Sequence, residues 1–178
     1  MSHLSKPLLH VLRLVLLALC AAVTPAHAHT VTATLAAGSF PIAVAVNPVT
    51  NKIYVANRGS ANVTVIDGAS NATTTVAAST NPYFVVVNPV TNKIYVANYG
   101  SANVTVIDGA SNATTTVAVG FNPYAVAVNP VTNKIYVSNG GGINVTVIDG
   151  ASNATTTVAV GTFPKGRLIK NAFKNSNG

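Results

Sequence analysis

Asn62 to Ala77 reads NVTVIDGASNATTTVA, and the same stretch returns unchanged at Asn103 to Ala118 and at Asn144 to Ala159. The period is 41 residues both times. A second block, NPVTNKIYV, begins at Asn47, Asn88 and Asn129 with the same period. Self-similarity of this kind marks a repeat architecture, in which each unit buries its apolar surface only by stacking on the next. Val and Thr dominate the repeats, and no apolar residues recur at helical spacing, so the units are built from strands.

Working outward from that stretch, each unit divides into four strands. In the first unit they are Ile42 to Val46, Lys52 to Ala56, Asn62 to Ile66 and Ala72 to Ala77. The segments between them carry Asn, Pro, Asp and Gly, which favour turns. The connections are short enough for antiparallel neighbours. Four-stranded antiparallel units of about 40 to 45 residues are the blades of a β-propeller. Near-continuous apolar strands such as Phe84-Val85-Val86-Val87 fit blades that pack on both faces. The predicted fold is all-β: three four-stranded antiparallel blades of a partial propeller. Val31 to Ala36 aligns with the fourth strand of the repeat and is predicted as one extra outer strand.

Tyr54-Val55-Ala56-Asn57, Tyr95-Val96-Ala97-Asn98 and Tyr136-Val137-Ser138-Asn139 resemble the Tyr-Val-Thr-Asn signature of the YVTN family of β-propeller repeat proteins. The Asn-Pro-Tyr, Val-Asn-Pro-Val-Thr-Asn and Val-Ile-Asp-Gly elements are also similar to that family, and the match runs over about residues 31–164. The third motif position is Ala or Ser here. The resemblance implies secreted, periplasmic or cell-surface proteins, often seven-bladed and related to surface-layer repeat proteins, most without an assigned activity.

The flanks differ from the repeats. Residues 1–28 hold Lys6 and Arg13, an apolar run from Leu14 to Val23, and Pro25-Ala26-His27-Ala28. That run is too short for a membrane span, which needs about 20 residues. The small-x-small pattern predicts signal-peptide cleavage after Ala28, with no transmembrane segment in the mature chain. Residues 29–164 carry the repeats. From Lys165 the composition shifts to Lys and Asn, and 165–178 reads either as a basic, solvated tail or as foreign sequence ending a longer propeller.

The net charge is +7, with 49% apolar and 7% charged residues. The excess sits in the flanks. The repeats set Lys52, Arg58, Lys93 and Lys134 against Asp67, Asp108 and Asp149, which leaves no basic face for nucleic acid. The single cysteine, Cys20, lies in the leader, so the mature chain has no disulfide.

Catalytic chemistry has few candidates. After Ala28 there is no Glu and one His, His29. Asp67, Asp108 and Asp149 read as Asx turns that open Asp-Gly hairpins, in preference to a metal or base ring. No catalytic residue, metal ligand or cofactor is expected. Tyr54, Tyr95 and Tyr136 read as filler between blades.

The repeats differ mainly in two sets of loops. One set joins the second and third strands: residues 57–61, 98–102 and 139–143. The other joins successive units: residues 38–40, 79–81 and 120–122. Both emerge at the same end of an antiparallel blade, where variable loops on a fixed scaffold carry contacts. Phe40, Arg58, Tyr99 and Phe121 are the candidate ligand contacts. The expected role is a non-enzymatic binding or scaffold module outside the cytoplasm, with a cell-envelope protein or glycan as ligand. The alternatives are a propeller enzyme of lactonase or quinone-dependent dehydrogenase type, a structural surface protein, or a truncated remnant. Three blades fall short of the four to eight that close a ring. Association through open blade edges is the expected remedy, giving a homo-oligomer.

Overall fold

The computed structural model describes residues 31–161. They form three four-stranded antiparallel sheets, each in simple chain order. Blade 1 holds β1 (Pro41–Asn47), β2 (Lys52–Asn57), β3 (Asn62–Asp67) and β4 (Thr73–Ala77). Blade 2 holds β5 (Pro82–Asn88), β6 (Lys93–Asn98), β7 (Asn103–Asp108) and β8 (Thr114–Ala118). Blade 3 holds β9 (Pro123–Asn129), β10 (Lys134–Asn139), β11 (Asn144–Asp149) and β12 (Thr155–Ala159). The predicted partial propeller of three blades is therefore observed, with strand bounds within one residue or so of those expected.

Local chemistry sets the hairpins. The turn between the first two strands of each blade places Asn51, Asn92 and Asn133 at φ of 52°, 52° and 51°. Asn tolerates this left-handed region better than most residues. Asn47 Oδ1 accepts from the Val49 amide at 3.0 Å, an Asx turn repeated by Asn88 and Asn129. Gly68 is required by close approach: a Cβ there would lie 2.7 Å from the Asn51 carbonyl oxygen.

The strand period of two sends alternate side chains to opposite faces of each blade. One face leads toward the next blade; the other trails toward the preceding one. Tyr54, Ala56, Val63, Val65 and Val76 on the leading face of blade 1 meet Val85, Ile94, Val96 and Ile107 on the trailing face of blade 2. The repeat-equivalent set joins blades 2 and 3: Tyr95, Ala97, Val104, Val106 and Val117 against Val126, Ile135, Val137 and Ile148. Tyr54 and Tyr95 are fully buried, as filler between blades requires.

Polar links repeat across both junctions. Asn47 Nδ2 donates to Asn92 Oδ1 at 2.9 Å, and Asn88 Nδ2 to Asn133 Oδ1 at 3.0 Å. Lys52 Nζ donates to the Gly109 carbonyl at 2.8 Å, and Lys93 Nζ to that of Gly150 at 2.9 Å.

One expectation fails. Val31 to Ala36 does not form the extra outer strand; residues 31–38 carry no strand pairing. An outer strand needs the free edge of a third strand. Those edges are already taken, by β4 on β3, β8 on β7 and β12 on β11. The predicted cleavage after Ala28 and the 165–178 tail lie outside the described residues. Among the described residues no helix is long and apolar enough to cross a membrane.

Candidate functional site

The loop end of each blade is held by a buried asparagine, the last residue of the YVAN or YVSN motif. Asn57 Nδ2 donates to Asn62 Oδ1 at 2.8 Å and to Thr64 Oγ1 at 2.9 Å. Asn98 and Asn139 make the same pair of bonds. The two variable loops of each blade are then tied to one another. The Arg58 and Gly59 amides donate to the Phe40 and Ser39 carbonyls, both at 2.9 Å. Tyr99 and Gly100 repeat this with Asn81 and Thr80, as Gly140 and Gly141 do with Asn122 and Phe121. The loops thus share one end, on a rigid base.

A β-bulge opens the first strand of every blade. Pro41 pairs with Asn57 and Ala43 with Ala56, so Ile42 is the extra residue. Tyr83 and Tyr124 hold the same place in blades 2 and 3. A bulge re-aims the side chain of its extra residue. Here the re-aimed residues meet. The Tyr83 and Tyr124 ring centroids lie 4.8 Å apart, tilted by 42°. Tyr83 Oη donates to Tyr124 Oη at 3.3 Å. The Tyr99 ring centroid lies 5.7 Å from that of Tyr83, tilted by 40°. The Arg58 guanidinium stands 6.0 Å from the Tyr83 centroid, within cation–π range. The bond donated to Tyr124, then burial, holds the Tyr83 phenol above its ordinary value.

The structure therefore brings Arg58 and Tyr99 together on Tyr83, which in turn meets Tyr124, two tyrosines that the sequence did not single out. The available signal was the Asn-Pro-Tyr element. A proline at a strand start, followed by an aromatic that repeats, marks the bulge. Phe40 stands beside Arg58 and lines a groove of ≈ 450 Å³ with Pro41, Ile42, Gly59 and Asn81. It is 78% exposed, and its φ of 49° is unfavourable for phenylalanine; Asn81 and Asn122 hold the equivalent place in the other blades. Phe121 is 76% exposed at the same end, but among the described residues it makes no ring contact with the tyrosines.

The opposite end of the blades is uniform. Asp67 Oδ1 accepts from the Ala69 amide, the Ser70 amide and Ser70 Oγ, and Asp108 and Asp149 do the same. The expected Asx turns are present. Bonds from Ser70 and Ser111 hold Asp67 and Asp108 below the usual carboxylate range. Asp149 is lowered further, first by its 2.6 Å bond from Lys134. Burial, and then the charge of Asp149, pushes the Tyr95 phenol up to about 12. Among the described residues no three His, Cys, Asp or Glu side chains gather.

No protein-family model matches the chain, and no curated protein does. Solved structures do. Kuenenia stuttgartiensis hydrazine synthase aligns over 77% of this chain and 41% of its own, at 21% identity and a TM-score of 0.67. Apo AztD from Citrobacter koseri aligns over 78% and 40%, at 21% identity and 0.63. A streptogramin B lyase aligns over 72% and 44%, at 12% identity and 0.63. This chain thus spans less than half the length of each. These neighbours are β-propeller proteins, some enzymes and some binding proteins. At such identities the likeness speaks for architecture alone, and the architecture is that of a partial β-propeller.

Proposed function

We propose that the chain is a non-enzymatic binding or scaffold module of YVTN β-propeller type that works outside the cytoplasm through its loop end. The observation that carries this reading is the strip formed by Arg58, Tyr99, Tyr83 and Tyr124. Tyrosine and arginine supply large, stiff contact area with polar tips, and they dominate energetic hot spots at binding surfaces. Its three tyrosines are half-buried and Arg58 is exposed, and the strip rests on strands whose own residues repeat without regard to it. The ligand we assign is a cell-envelope protein or glycan. The secreted, periplasmic or cell-surface setting rests on the leader sequence and on the YVTN resemblance.

The test is binding of the purified chain to two immobilised probes, a cell-wall glycan and an envelope protein fraction. We expect one of them to retain the wild type. Tyr83→Ala and Arg58→Ala should each weaken that retention by at least about tenfold, the scale of a hot-spot loss. Equal retention of wild type and variants, or retention of neither by both probes, would remove this reading.

A further inference from the structure

Among the described residues, the trailing face of blade 1 and the leading face of blade 3 carry the two halves of a junction that the protein already builds twice. On the trailing face of blade 1 stand Val44, Ile53, Val55 and Ile66. Their equivalents are Val85, Ile94, Val96 and Ile107 in blade 2, and Val126, Ile135, Val137 and Ile148 in blade 3, identical in type and all buried. Val44 is 64% exposed where Val85 and Val126 are 4% and 5%. On the leading face of blade 3 stand Val145, Val147 and Val158, with Tyr136 half-buried among the repeat positions. Val158 is 46% exposed where Val76 and Val117 are 5% and 6%.

The polar links are duplicated as well. Asn129 and Lys134 stand where Asn47 and Lys52, then Asn88 and Lys93, reach across to the next blade. Lys134 turns instead to Asp149 of its own blade. Asn51 Oδ1 and the Gly68 carbonyl occupy, on blade 1, the acceptor places that Asn92 and Gly109 fill on blade 2.

We infer that the leading face of blade 3 docks on the trailing face of blade 1 of a second copy of this chain, continuing the internal junction between molecules. The occupant is specified by the repeat itself: a second copy presents the same side chains, in the same register, as the blade that fills this place at the two internal junctions. The contact is head-to-tail, so two copies can meet at two equivalent junctions. At each junction Gly140 of one copy would sit where Arg58 and Tyr99 sit, opposite Ile42 of the other. The two tyrosine strips would then be separated by an aliphatic step. This assembly does not depend on the loop-end binding reading.

The experiment is light scattering after gel filtration, on the wild-type chain and on Val44→Asp and Val158→Asp, with circular dichroism as a check on folding. The wild type should run as one species near twice the mass of the same chain under denaturing conditions. Each variant, altered at an exposed position, should stay folded and drop twofold in mass. Mixing the two variants should restore a 1:1 pair, because one intact leading face then meets one intact trailing face. A monomeric wild type overturns the inference. So does an assembly that only one variant dissolves, or that the mixture fails to restore, since a face-to-itself contact would behave that way.

Discussion

Where the third and fourth strands turn, Asp67, Asp108 and Asp149 make the same bonds three times over. At the other end of the same strands, Arg58, Tyr99 and Gly140 occupy one repeat position, and Ile42, Tyr83 and Tyr124 another. Both ends rest on the same ladders. The difference is in what each end holds. The turn end consists of side-chain bonds that close each hairpin, and every copy is alike. The loop end is secured from beneath by Asn57, Asn98 and Asn139, which leaves the residues above them free to differ. Side chains released from structural duty are the ones available for recognition.

Paired substitutions would break or sharpen that contrast. The largest effect is expected at Tyr95, buried between blades 2 and 3. Tyr95→Ala should cost about 3–5 kcal/mol in urea unfolding, as for other buried aromatics. Tyr99→Ala, four residues on but in the loop, should cost under about 1 kcal/mol. Equal losses would show that the loop end is as structural as the core. Next comes the staple. Asn98→Ala strips the donor from Asn103 Oδ1 and Thr105 Oγ1 and should cost about 1–3 kcal/mol by the same measurement.

Phe40→Asn should act in the opposite sense. It puts the residue of the other two blades into a left-handed backbone position and should stabilise by about 1 kcal/mol while weakening loop-end binding. Stabilisation without loss of binding would make Phe40 a bystander.

The smallest effect is titration at the turn end. The three Asp carboxyls are lowered in the folded state from their ordinary value of 3.8. Their stabilising bonds are thus fully present above that value and are lost as pH falls through the folded values. The melting temperature should decline as pH drops below about 4, and replacing all three with Asn should flatten the decline.

The blades were legible because a repeat displays its own pattern several times. Val and Thr alternation, Asn-Pro turns and Asp-Gly hairpins all point to the same four strands. Strand-like composition misleads at Val31 to Ala36, because similarity to a fourth strand does not create a free edge for it. The aromatic strip was half legible. Arg58 and Tyr99 stand out by differing between repeats, whereas Tyr83 and Tyr124 agree with each other and so look structural. Their place at the start of β5 and β9 puts them at the loop end, and the bulge, which shifts register by one residue, takes them out of the ladder pairing. Proximity in space also separates Phe121 from the strip, and loop membership alone does not carry that information.

The strict identity of NVTVIDGASNATTTVA in all three blades has a consequence for how the chain finds its fold. The β3 strand could pair with β8 as well as with β4, since β4 and β8 are the same five residues. The side-chain contacts of the two pairings would be alike, so they do not discriminate. Connectivity does. Pairing with β8 closes a loop roughly ninefold longer, an entropic disadvantage of about 2 kcal/mol. Correct threading of this protein is thus decided less by which residues meet than by how soon the chain lets them.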